Sequence, residues 1–170
     1  VLNNGVKKNR IMESNQIMVK MVLDRWYSLL KVFDTILDSV SDEKLQKEVS
    51  PGKNRGIYLF GHLVAVHDDM MPILNFGEKL FPELEEPFIK FPDKATSTIP
   101  SASELRSMWK KQNEVLNKKF ESLTPKEWFE KHNSISAEDF AKEPHRNKLN
   151  VMITRISHLS YHSGQIALLK

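Results

Sequence analysis

The stretch Ser157-His158-Leu159-Ser160-Tyr161-His162-Ser163-Gly164-Gln165 places two histidines four residues apart near the end of the chain. On an α-helix that spacing stacks both imidazoles on one face, about 40° apart around the axis at ~100° per residue. Two imidazoles on successive turns can grip one divalent metal, as they do in H-E-x-x-H sequences. The glutamate of that motif is missing here, so any third ligand must come from elsewhere. Ser157, Ser160, Gly164 and Ala167 form a second face, made of small residues. A glycine inside a helix costs about 1 kcal/mol relative to alanine. A close contact with a neighbouring helix, in the same bundle or across a dimer, is therefore expected at this ridge.

Three further helices can be read upstream. The first runs from Ser14, read as an N-cap, to about Asp38, with Met18, Met21, Val22, Trp26, Leu29, Phe33, Ile36, Leu37 and Val40 on one face. A short helical turn is expected between Ser41 and Ser50, broken by Pro51-Gly52. The second long helix runs from about Asn54 to Met71, where Pro72 kinks or ends it. Residues 77–100 hold four prolines with Phe81, Phe88, Ile89 and Phe91 between them. That segment is too long and too apolar for a bare linker, and is expected to pack over one end of the helices and border a site.

Ser101-Ala102-Ser103-Glu104 is a capping box that opens the third helix, which continues to about Leu123. Thr124-Pro125-Lys126-Glu127 repeats the signal for a short helix carrying Trp128 and Phe129. A polar segment from His132 to Arg146 leads to the last helix, from about Asn147 to the end. No segment alternates with period two, and no repeat is visible. The fold read from this pattern is all-α: a four-helix bundle in one domain over residues 1–170, with a long crossover between helices two and three. Residues 1–13 are read as a flexible N-terminal extension.

Composition narrows the function. Of 170 residues, 40% are hydrophobic and 28% charged, enough for a single core. Lysines and arginines number 25 against 22 acidic residues, and the two signs are interleaved rather than segregated, which argues against nucleic acid as a partner. The chain has no cysteine, which excludes disulfides, thiolate ligands and a cysteine nucleophile. No run of 18 apolar residues suggests a membrane span, and no apolar signal core follows Val1. A cytoplasmic location is the expectation.

Of the six histidines, His132 and His145 sit in polar connections beside Lys131 and Arg146 and read as ordinary surface residues. His62 and His67 share the second helix but point about 140° apart, so only one can face His158 and His162. His62 lies in the apolar run Ile57-Tyr58-Leu59-Phe60-Gly61-His62-Leu63-Val64, where Gly61 removes bulk and admits another helix. His67 precedes Asp68 and Asp69 and reads as the more exposed. His62 is thus the preferred third ligand, against the competing reading of a core histidine bonded to a backbone carbonyl. Arg155, three residues before His158, lies beside the histidine face and is a candidate to bind an anionic substrate group, against the reading of a surface salt bridge.

The run from His158 to Ile166 resembles the H-x-x-x-H-x-G-Q signature that ends the fourth helix of the DinB-like (YfiT-like) metal-dependent enzyme superfamily. Gly61-His62-Leu63 resembles that family's single helix-two histidine. The resemblance implies a four-helix bundle in which His62, His158 and His162 hold Zn²⁺, Ni²⁺ or a similar ion, often in a homodimer. It also implies S-transferases and isomerases that use bacillithiol, mycothiol or glutathione. Three neutral imidazoles would leave a divalent ion with an open position, the pattern of catalytic zinc. Such an ion could acidify a thiol, which a chain without cysteine must take from a co-substrate. It could equally activate water for hydrolysis. Asp69 lies roughly on the face of His62, but some 10 Å along the axis at 1.5 Å per residue, which weakens it as a general base. A thiol S-transferase is therefore the first expectation and a hydrolase on the same site the second. A non-catalytic binding or dimerisation protein is the third.

Overall fold

The computed structural model describes residues 4–170, with side chains from residue 14 onward. Its first helix, α1 (Asn4–Ser39), begins upstream of the expected start, so Ser14 lies inside the helix rather than capping it. Residues 1–3 and the side chains of residues 4–13, on which the reading of a flexible extension rests, lie outside what is described. From residue 14 to the end of α1 there is no proline or glycine to interrupt the ladder. The buried stripe is Val19, Trp26, Leu30, Phe33 and Leu37, stepping by seven, four, three and four residues. Met18 and Met21, expected inside, are 52% and 66% exposed. The stripe is anchored by fully buried Trp26, whose neighbour one heptad back is Val19 rather than Met18.

Short α2 (Asp42–Leu45) is capped by the Ser41 hydroxyl, and a turn at Pro51-Gly52 follows, with Gly52 at φ 73°. The second long helix, α3 (Gly56–Asp68), is shorter than expected; Pro72 falls inside a separate turn, α4 (Met70–Ile73). The capping box at Ser101 and Glu104 forms, and α5 (Ala102–Ser122) follows it. Thr124 donates to the Glu127 carboxylate at the entry to a short 3-10 turn (Glu127–Phe129) that buries Trp128. The polar segment contains an unexpected helix, α6 (Ala137–Lys142), started by the Ser136 side chain accepting from Asp139 N–H. Asn147 caps the last helix, α7 (Lys148–Ile166), which ends in a 3-10 turn. No β-strand occurs among the described residues, and the architecture is the expected all-α one.

Side-chain pairings give the directions of three of the four long helices. Trp26 stacks near His67, and Phe33 near Phe60, so α1 and α3 run antiparallel. Trp26 Nε1 donates to Asn117 Oδ1 (3.1 Å), Trp109 Nε1 donates to Asp34 Oδ1 (2.8 Å), and Arg106 donates to the carbonyls of Leu37 and Val40. Hence α1 and α5 are antiparallel as well, and α3 and α5 are parallel. Two parallel consecutive helices require the chain to travel back along the bundle between them.

The crossover does this along the flank of α3 rather than over one end. The buried Asp68 carboxylate accepts from Leu80 and Phe81 N–H at 2.9 and 2.7 Å. Phe88 packs on Gly61, where an added Cβ would overlap its ring. Tyr58 donates to the Phe91 carbonyl (2.8 Å), and Arg55 pairs with Asp93 (2.7 Å). As residue numbers rise from 80 to 93 in the crossover, they fall from 68 to 55 along α3. One 3-10 turn (Pro82–Leu84) and one π turn (Glu86–Lys90) bury Leu84 and Phe88 in this strap.

Candidate metal centre

The site forms where α3 and α7 face each other beneath the strap. α3 carries His62, and α7 carries His158 and His162 on successive turns. His158 Nε2 lies 3.2 Å from His62 Nε2 and 3.0 Å from His162 Nε2. One ligand atom from each residue can be chosen so that all three lie within 4.8 Å of one another. All three side chains are half-buried.

The outer nitrogens decide what the inner ones can do. His62 Nδ1 lies 2.7 Å from the Phe88 carbonyl oxygen. A carbonyl only accepts, so Nδ1 carries the proton and Nε2 presents a lone pair. His162 Nδ1 lies 2.7 Å from Gln165 Oε1, which assigns the same tautomer with the amide in its assigned orientation. His158 Nδ1 is buried with no hydrogen-bond partner among the described residues. One proton on His158 Nε2 could satisfy only one of its two inward contacts, leaving the other as facing lone pairs.

A cation at the centre removes that conflict. Tetrahedral Zn–N bonds of about 2.0–2.1 Å would set neighbouring nitrogens about 3.3 Å apart, close to the spacing seen. The residues therefore fit a divalent ion. Burial, then the neighbouring His162, His62 and Arg155, push His158 down to about 4. Burial also lowers His162, against an opposing hydrogen bond from Gln165. Both are neutral at pH 7, the form that ligates metal.

Other histidines fall elsewhere. His67, expected to be the more exposed of the α3 pair, is 0% exposed. The helix turns it inward between Trp26 and Trp109, at ring distances of 4.9 and 5.0 Å. Burial and the charge of Arg155 lower it to about 3; Asn113 approaches its ring without reaching hydrogen-bond geometry. His145 is exposed, and half-buried His132 accepts the Ser134 N–H. Asp69 is held by Lys79 at 2.6 Å. No Asp or Glu joins the three-histidine group among the described residues.

Arg155 is half-buried, with Nε enclosed and unpartnered among the described residues. Of the small-residue ridge of α7, Ala167 packs against the core, whereas Ser157, Ser160 and Gly164 are exposed among the described residues, and nothing beyond the helix's own backbone lies within 4 Å of a Cβ added at Gly164. Sequence reading assigned no role to Phe88 or Gln165. Gln165 could have been found, because it lies three residues after His162 on the same helix face. The Phe88 carbonyl could not, since a main-chain acceptor leaves no mark in residue type.

Two surface grooves lie away from the three-histidine cluster. One, between α1 and α5, is lined by Tyr27, Asp34, Trp109 and Asn113 among others; the second lies between the strap and α5, beside Glu83, Phe91 and Met108. Neither includes a residue of the cluster. The converging donor set, rather than groove size, marks the candidate site.

The DinB superfamily model matches residues 25–166, a span that contains all three histidines. A search of curated proteins finds no match. Among solved structures, a conserved protein from Enterococcus faecalis is similar at a TM-score of 0.60 and 14% identity, covering 91% of this chain and 93% of that one. At that identity the likeness speaks for the fold. Because the family match spans most of its length, the chain belongs to the DinB superfamily.

Proposed function

We propose that His62, His158 and His162 bind a divalent metal ion, zinc or nickel, through their Nε2 atoms, and that the protein is a metal-dependent transferase acting with a low-molecular-weight thiol of the bacillithiol or glutathione type. The observation that carries the reading is the convergence of three Nε2 atoms whose outer nitrogens, on His62 and His162, are already committed to Phe88 and Gln165. Such outer partners fix ring orientation and raise ligand basicity. When bound, the ion supplies a Lewis acid with at least one position open, able to acidify a thiol or a water.

The surrounding residues favour a thiol over water. Hydrolysis calls for a general base, and Asp69, the one acid expected near the face of His62, is engaged by Lys79. The chain has no cysteine of its own, so the thiol is a co-substrate. The same reading includes a homodimer formed through the outer face of α7, where exposed Ile153, Tyr161 and Leu168 border the small-residue ridge. No helix among the described residues is long and apolar enough to cross a membrane.

The test is elemental analysis of untagged protein grown with added metal, beside His158→Ala. About one equivalent in the wild type and a large loss in the variant are expected; less than a tenth of an equivalent in the wild type overturns the site. With metal present, consumption of bacillithiol or glutathione with an electrophile supports transfer. Turnover of esters or amides without thiol supports the hydrolase instead, and neither supports a binding protein.

A further inference from the structure

Arg155 sits one turn before His158 on α7 and faces the interior rather than open solvent. Its Nε is buried, and among the described residues no hydrogen bond and no carboxylate within 4 Å satisfies the guanidinium. The acid whose charge reaches it, Asp69, is already held by Lys79 at 2.6 Å. Arg155 lies one helical turn from His158, close enough that its charge acts on that imidazole and on the buried His67. A guanidinium half out of water without a counter-charge is expensive, since buried charges are normally paired. Its planar fork suits a carboxylate in two parallel hydrogen bonds. His67 and Asn113, which border the same interior region, also carry unpartnered polar atoms and bring no negative charge.

We infer that Arg155 is the anion subsite of the three-histidine centre, recognising a carboxylate on the small molecule whose thiol or other reacting group is presented to His62, His158 and His162. The inference rests on the proposed metal reading for the reacting end only. Substrates of this protein are thus small carboxylate-bearing molecules, and Arg155 is a specificity residue.

The probes are 3-mercaptopropionate, 2-mercaptoethanol and propionate, titrated by calorimetry into zinc-loaded wild type, Arg155→Met and Arg155→Lys. Zinc content and circular dichroism are checked first in each. The wild type should bind 3-mercaptopropionate at least tenfold more tightly than 2-mercaptoethanol. Arg155→Met should bring the two within twofold at unchanged zinc content, and Arg155→Lys should keep part of the preference. A wild-type preference below twofold, or one that survives in Arg155→Met, overturns the subsite. If the protein takes up no zinc, the metal reading fails separately, and the metal-free chain decides the subsite. In that case propionate should shift the Arg155 side-chain resonance in wild type, and no shift overturns the inference.

Discussion

His62 Nδ1 stands 2.7 Å from the carbonyl oxygen of Phe88, while the Phe88 ring fills the space left by Gly61. One loop residue thus orients His62 with its main chain and locks the loop with its side chain. Gly61 is the condition for both.

Gly61→Ala should therefore damage the site without touching a histidine. The new methyl group would displace the Phe88 ring, and overpacking of this kind typically costs about 1–3 kcal/mol. Zinc affinity, read by chelator competition, should fall by roughly 10–100-fold as His62 loses its carbonyl partner. Unchanged affinity would show that the strap does not aim the ligand.

Gln165→Leu removes the acceptor of His162 Nδ1 and leaves the fold's core alone. A loss of about tenfold or more in zinc affinity is expected, with the thermal midpoint of the metal-free protein nearly constant. Gln165→Glu should retain tight binding, because a carboxylate accepts the same proton.

Stability should fall with acid through His67. Its folded pKa of about 3 lies below the ordinary 6.5, so between these values the unfolded chain holds a proton that the folded chain refuses. The stability is full above pH 6.5 and is lost as pH falls toward 3. In urea titrations of metal-free protein, the wild type should lose roughly 2–3 kcal/mol more than His67→Met between pH 7 and pH 4.5. Equal losses would contradict the buried neutral imidazole.

Asp68→Ala tests how the strap is held. It leaves the Leu80 and Phe81 amides without their acceptor, at a cost of about 1–3 kcal/mol. Hydrogen exchange should quicken across residues 80–91 before it quickens in α5.

For the proposed dimer, sedimentation velocity of the wild type should give twice the chain mass. The Ile153→Glu, Leu168→Glu double variant, placed on 48% and 68% exposed positions, should give a folded monomer. A monomeric wild type sinks the reading.

Much of this was legible in the residues because helical periodicity and capping are local. Ser101 with Glu104, Thr124 with Glu127, and the paired histidines of α7 each act within one or two turns of their own chain. His62 was separable from His67 because five residues on a helix cannot share a face. Burial of His67 was not, since it depends on Trp26 and Trp109 arriving from other helices. Met18 and Met21 misled for a related reason: their spacing is helical, and only the tertiary position of Trp26 decides which side of the stripe meets the core. The path of the strap was hidden because Asp68 and Arg55 meet partners distant in sequence, and because its acceptors at Phe88 and Phe91 are carbonyls that every residue possesses.

That last property bears on how such a protein can change over generations. The acceptor at position 88 is present whatever the residue, but it stays in place only while a ring remains seated on Gly61. Drift in the rest of the strap can therefore reshape what covers the histidines while the direction of His62 is inherited intact, and the cover can diversify without the centre being rebuilt.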